Sequence, residues 1–148
     1  MSATGFFLVL EGLDGAGTSP QTARLADALR ATGRTVHVTR EPSVGPVGLF
    51  LRQALEKKLV DASGNALRLD GPTMALLFAA DRVDHVQREI EPALARGEVV
   101  ISDRYDLSSL IYQSATSDDG AASLAWIAAL NSRVRRPGRY GESARFAT

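Results

Sequence analysis

Phe6–Gln21, FFLVLEGLDGAGTSPQ, is the stretch that decides how this chain folds. Phe6–Leu10 is an unbroken apolar run and reads as a buried strand. Three glycines follow, Gly12, Gly15 and Gly17, and a helical pattern begins near Pro20. Glycines at such a corner let the backbone approach a ligand closely and take positive φ, so that N–H groups converge on an anion. The helix start adds unpaired N–H groups and the positive end of its dipole. Taken by itself, the stretch is equally well explained as an ordinary strand–turn–helix corner.

Gly12 and Gly17 stand at the spacing of the P-loop pattern GxxxxGK[ST], and Ser19 fills its Ser/Thr position, where a hydroxyl ligates Mg²⁺. Gly12, Leu13, Asp14, Gly15, Ala16, Gly17, Thr18 and Ser19 are therefore the candidate ATP- and phosphate-binding residues. The lysine position, however, holds Thr18, and Pro20 follows Ser19. A lysine there carries a mobile positive charge to the phosphates, whereas threonine offers only a hydroxyl. One charge-assisted hydrogen bond contributes roughly 1.5–3 kcal/mol. Its loss would slow phosphoryl transfer by about one to two orders of magnitude. Pro20 removes one further N–H donor, although proline is well tolerated in a first helical turn.

The chain has 148 residues, enough for one domain with a real core. Its net charge of zero argues against a nucleic-acid or membrane surface as the main partner. With no cysteine, disulfides and thiolate metal sites are excluded. His37 falls in a strand pattern and His85 on a helix, too isolated for a metal cluster, and both read as structural residues. No apolar run approaches a membrane span and the N-terminus lacks a basic leader pattern, so a cytoplasmic location is expected.

Beyond the loop, Leu25, Ala26 and Leu29 carry a helix over residues 20–32 that Gly33 stops. Thr35–Thr39, TVHVT, alternates as a second strand and turns at Arg40-Glu41-Pro42. Val47–Leu59 reads as a helix, and Val60–Gly71 as a loop. Pro72 opens a long helical stretch expected to break before Pro92. Glu98–Ser102 reads as a third strand, and Tyr105–Ala115 and Ala121–Asn131 as helices. Strands alternating with helices imply an α/β fold with a parallel sheet. Asn131–Thr148 has no apolar period and carries five arginines against one acid. It divides the chain into a domain over 1–131 and a basic tail over 132–148, which is either a nucleic-acid contact or a solvated, disordered terminus.

Four segments together resemble the thymidylate kinase family, P-loop nucleoside monophosphate kinases. They are EGLDGAG with Gln21 after it, TREP at Thr39–Pro42, LLFAADR at Leu76–Arg82, and DRYDLSSLIYQ at Asp103–Gln113. The resemblance covers nearly all of residues 5–131 and implies a P-loop NTPase-type three-layer sandwich. It implies transfer of the γ-phosphoryl of ATP to dTMP, with Mg²⁺, no nucleic acid and no membrane, and a homodimer as one possible assembly. Asp14 and Arg104 hold the catalytic positions, and Ser19 and Asp103 the metal-side ones. Arg40, Glu41, Phe78, Arg82, Arg104, Ser109, Tyr112 and Gln113 match the dTMP side. Phe78 would stack on the base while Arg82 holds it, and Arg40 and Glu41 would line the phosphate end. Arg104 would clamp the phosphoryl groups, and the Tyr112 position would help reject a ribo-sugar.

The chain departs from that pattern at Thr18 and Pro20. It also shows nothing after Asn131 that matches the family's C-terminal strands and arginine-bearing lid. The arginine-rich end is read as a truncation, which would leave FFLVL as an open sheet edge prone to pairing with another chain. The readings that follow are a dTMP kinase, a remnant that binds dTMP without turnover, a poorly folded product, and a kinase for another nucleoside monophosphate.

Overall fold

A computed structural model describes residues 5–12, 15–105 and 120–132 of the chain. In chain order they form β1 (Phe6–Leu10), α1 (Thr18–Ala31), β2 (Val36–Arg40), α2 (Pro46–Leu55) and α3 (Gly71–His85). A π-helical turn (Val86–Ile90), α4 (Glu91–Ala95), β3 (Val99–Asp103) and α5 (Gly120–Ser132) follow. The sheet is parallel throughout, in the order β1-β3-β2.

Both faces of the sheet are covered, and the alternation of side chains along each strand shows how. Leu10, Val99 and Ile101 pack with Ala26, Leu25 and Leu29 of α1 on one face. Phe7, Val9 and Val100 pack with Val86, Ile90 and Ala93 on the other. β3, flanked on both sides, is the most deeply buried strand, with Val100 and Ile101 fully covered. The result is the expected three-layer α/β sandwich. Among the described residues β1 pairs only with β3 and so lies at the sheet's edge.

One expected helix boundary is corrected. The helix expected over Val47–Leu59 stops at Leu55, because Lys57 takes a left-handed φ of 57°. The N–H groups of Lys57 and Lys58 then return to the carbonyls of Ala54 and Gln53, closing the helix in a Schellman turn with no glycine to announce it. The expected break before Pro92, into a long helix and a short one, is found as the π turn that separates α3 from α4. The chain passes through the π turn into α4, with Pro92 in its first turn. Pro92 has no N–H, and the wider turn before it absorbs the missing hydrogen bond. The helix expected over Tyr105–Ala115 lies outside the described residues beyond Tyr105, and the tail expected over 132–148 lies outside them beyond Ser132.

The strand register matters most for function. Leu10, Asp103 and Arg40 stand level across the sheet. The glycine loop, Asp103-Arg104-Tyr105 and Arg40-Glu41 therefore leave the sheet together at its carboxyl end, where open parallel α/β sheets hold ligands.

Candidate active site at the carboxyl end of the sheet

The glycine loop enters α1 through Gly15 (φ 83°) and Gly17 (φ 74°), both in the left-handed region that glycine reaches without steric cost. Among the described residues no side chain caps the N-terminus of α1. The Gln21 N–H already donates to the Gly17 carbonyl at 3.1 Å, and Pro20 has none. The N–H groups of Thr18 and Ser19 are what the helix start can offer an anion. The Thr18 methyl lies 2.8 Å from where a Cβ on Gly12 would stand, so the residue in the lysine position folds over the loop. Leu13 and Asp14 lie outside the described residues.

Ser19 and Asp103 come together across the site: the Ser19 hydroxyl donates to Asp103 Oδ2. Asp103 Oδ1 is buried and has no hydrogen-bond partner among the described residues. A hydroxyl and a carboxylate with an unused oxygen, side by side, fit a hard divalent cation, which takes oxygen ligands. Arg104 follows with φ at 73°, a left-handed conformation that costs a non-glycine residue of order 1–3 kcal/mol. Its N–H donates to the Leu10 carbonyl at 2.8 Å, and its carbonyl accepts from the Ser102 hydroxyl at 2.7 Å. The strain is thus held in place from β1 and β3.

Arg82 and Phe78 share a face of α3 one turn apart. Phe78 is half-buried, but Arg82 is 1% exposed. The Arg82 Nε donates to Glu41 Oε2 at 3.0 Å, and Nη2 lies 3.0 Å from the same oxygen. Nη2 also donates to the Tyr105 carbonyl at 3.2 Å, and Nη1 donates to the Asn131 side chain of α5. The guanidinium stands 5.1 Å over the Tyr105 ring, which meets Phe7 edge-on at 5.3 Å. Tyr105 N–H donates to Glu11 at 2.9 Å. Glu41 is turned inward as the carboxylate that holds Arg82. Arg40 is exposed at the end of β2. Ser109, Tyr112 and Gln113 lie outside the described residues.

Sequence reasoning missed Glu11, Thr39, His85 and Asn131 as parts of this arrangement. His85 was visible only as the residue three past Arg82 on the same helical face. It is buried, with Nδ1 3.3 Å from Glu41 Oε1 and Nε2 2.7 Å from the Thr39 hydroxyl. Glu89, from the π turn, lies 3.4 Å from His85 Nε2 and 2.8 Å from His37. Burial works to raise the Glu89 pKa, but hydrogen bonds from Thr39 and His37 and the charges of His85 and His37 outweigh it and hold the carboxyl below its ordinary value.

The model of the family described as Thymidylate kinase matches residues 10–137. The chain is 50% identical over 111 residues to a thymidylate kinase of Bifidobacterium longum, covering 75% of this chain and 52% of that one. It is 42% identical over 134 residues to a probable thymidylate kinase of Pyrococcus horikoshii, covering 90% and 62%. The chain thus spans about half to six-tenths of the length of these relatives. Its fold resembles the crystal structure of thymidylate kinase from Ehrlichia chaffeensis, with a TM-score of 0.73 and 30% identity over 90% of this chain and 71% of that one.

Proposed function

The chain belongs to the thymidylate kinase family, and from that premise we propose that it phosphorylates dTMP to dTDP with ATP and Mg²⁺. The observation that carries this reading is the convergence, at one end of the sheet, of the glycine loop, the Ser19–Asp103 pair, Arg104 and the Phe78–Arg82 face. The γ-phosphoryl would pass in line to a phosphate oxygen of dTMP while its bond to the β-phosphate breaks and ADP leaves. Arg104 would clamp the phosphoryl groups in a bidentate way, with Asp14 beside the acceptor phosphate. Ser19 and Asp103 would hold Mg²⁺, which supplies positive charge to the phosphates. Phe78 would stack on the base and Arg82 orient it, with Ser109, Tyr112 and Gln113 on the sugar side and Arg40 at the phosphate end. Alignment and charge, rather than covalent chemistry, are what the protein contributes.

The same reading takes residues 1–131 as the kinase-like domain, and the location as the cytoplasm. Among the described residues no helix is long and apolar enough to cross a membrane. It extends to a homodimer, in which the exposed Leu49 of α2 and Leu76 of the adjacent α3 are side chains a second copy would cover.

One observation favours a second reading, binding of dTMP without turnover. Thr18 and Pro20 weaken the donor side, while nothing on the Phe78–Arg82 face departs from the family pattern. The deciding experiment incubates the chain with ATP, Mg²⁺ and dTMP alongside competing nucleoside monophosphates, and separates the products by ion-exchange chromatography. Formation of dTDP, lost on chelating Mg²⁺, is expected. Bound dTMP with no dTDP would replace this reading with the second.

A further inference from the structure

We propose that His85 is a positioning residue for the acceptor base: acting through Glu41, it sets the plane of the Arg82 guanidinium. The inference deepens the acceptor reading above and rests on it. Glu41 divides its two oxygens between two tasks. Oε2 takes Nε and Nη2 of Arg82, both at 3.0 Å, and Oε1 faces His85 Nδ1 at 3.3 Å. A carboxyl group turns easily about its last bond, since that torsion has no sharp preference. With only Oε2 engaged, Glu41 could swing and carry the guanidinium with it. His85 pins the second oxygen, and the arrangement acquires a fixed plane.

His85 is itself held. Thr39, near the end of β2, meets Nε2 at 2.7 Å, and Glu89 approaches the same nitrogen at 3.4 Å. The His85 side chain is wholly buried and that of Glu41 is 4% exposed, so water does not compete for these contacts. The π turn begins at the residue after His85, and such turns are frequent at functional sites. Arg82 leaves one Nη1 hydrogen without an acceptor among the described residues. That hydrogen is the donor whose direction the His85–Glu41 pair determines.

A merely structural histidine and a positioning one differ in what their loss does to the two substrates. The test measures dTMP and MgATP affinity separately by calorimetric titration, in the wild type and in His85→Leu, His85→Asn and Thr39→Val. His85→Leu is expected to weaken dTMP by roughly tenfold or more, the loss of one charge-assisted hydrogen bond, and to leave MgATP unchanged. In His85→Asn the side-chain amide replaces the Nδ1 donor, and most of the dTMP affinity is expected to return. Thr39→Val keeps the volume and removes the hydroxyl that orients the ring, so a smaller loss on dTMP alone is expected. If His85→Leu does not fold, the same pattern is read from the other two variants. Unchanged dTMP affinity in a folded His85→Leu, or in Thr39→Val where His85→Leu does not fold, or equal loss for both substrates, would overturn the assignment. A wild type that does not bind dTMP would overturn the acceptor reading itself, and with it this inference; that outcome is seen before any variant is compared.

Discussion

Thr18→Lys is expected to raise the rate of dTDP formation by roughly 10–100-fold, the value of one restored charge-assisted hydrogen bond to the phosphates. The side chain in this position begins the helix that follows the glycine loop, and its backbone N–H is among the donors that remain there. Thr18 spends its side chain on the loop itself, with its methyl against Gly12. A lysine has an unbranched Cβ and a long stem, so its ammonium can reach past Gly12 toward the β- and γ-phosphates. The substitution is expected to change dTMP affinity far less than the rate, because the base-side residues Phe78 and Arg82 lie on α3 and not on the loop. Steady-state kinetics with each substrate varied in turn reads both effects. An unchanged rate in a folded Thr18→Lys chain would mean that another part of the donor side limits transfer, with the missing N–H of Pro20 as the next candidate.

Glu41→Ala is expected to destabilise the fold by about 3–5 kcal/mol, the usual cost of breaking a buried ion pair from one side. Arg82 is 1% exposed and Glu41 is 8% exposed. Without the carboxylate, a guanidinium remains buried with the Tyr105 carbonyl, the Asn131 side chain and the Tyr105 ring as its company. None of these is an anion. A domain stable by only ~5–15 kcal/mol loses much of its margin by such a change. Replacing both partners, Glu41→Leu with Arg82→Met, leaves no stranded charge and is expected to be more stable than Glu41→Ala alone. Urea unfolding measures both, and the coupling between the two sites appears as non-additivity. Additive losses would show that the pair does not act as a unit.

The sheet was legible in the sequence because its strands are short segments bounded by turn residues, the apolar runs of FFLVL and EVVIS and the apolar–polar alternation of TVHVT. That the third strand lies beside the first followed only from the family resemblance, since pairing joins residues far apart in the chain, as Phe6 with Val99. The end of α2 was missed because Lys57 adopts a backbone conformation that a lysine does not advertise. The π turn was missed because its five residues, VQREI, look like ordinary helix.

At the site, the face shared by Phe78 and Arg82 follows from helical spacing alone, and the spacing of the glycine loop follows from motif. What spacing could not reveal is the partner of each charge. Glu41 meets Arg82 across 41 positions, and Thr39 meets His85 across 46. Such contacts depend on how β2 and α3 lie against each other, not on any local pattern. For that reason the contacts that join His85, Glu41 and Arg82 could not be read from the sequence.

The most direct test of the acceptor site is the amide NMR spectrum of the chain titrated with dTMP. If the carboxyl end of the sheet and the Phe78–Arg82 face form the acceptor pocket, the amides of Phe78, Arg82 and Asp103–Tyr105 shift together and saturate with one affinity, while those of the distant 61–65 turn stay in place. Shifts confined to other parts of the molecule, or none at saturating dTMP, would contradict the account.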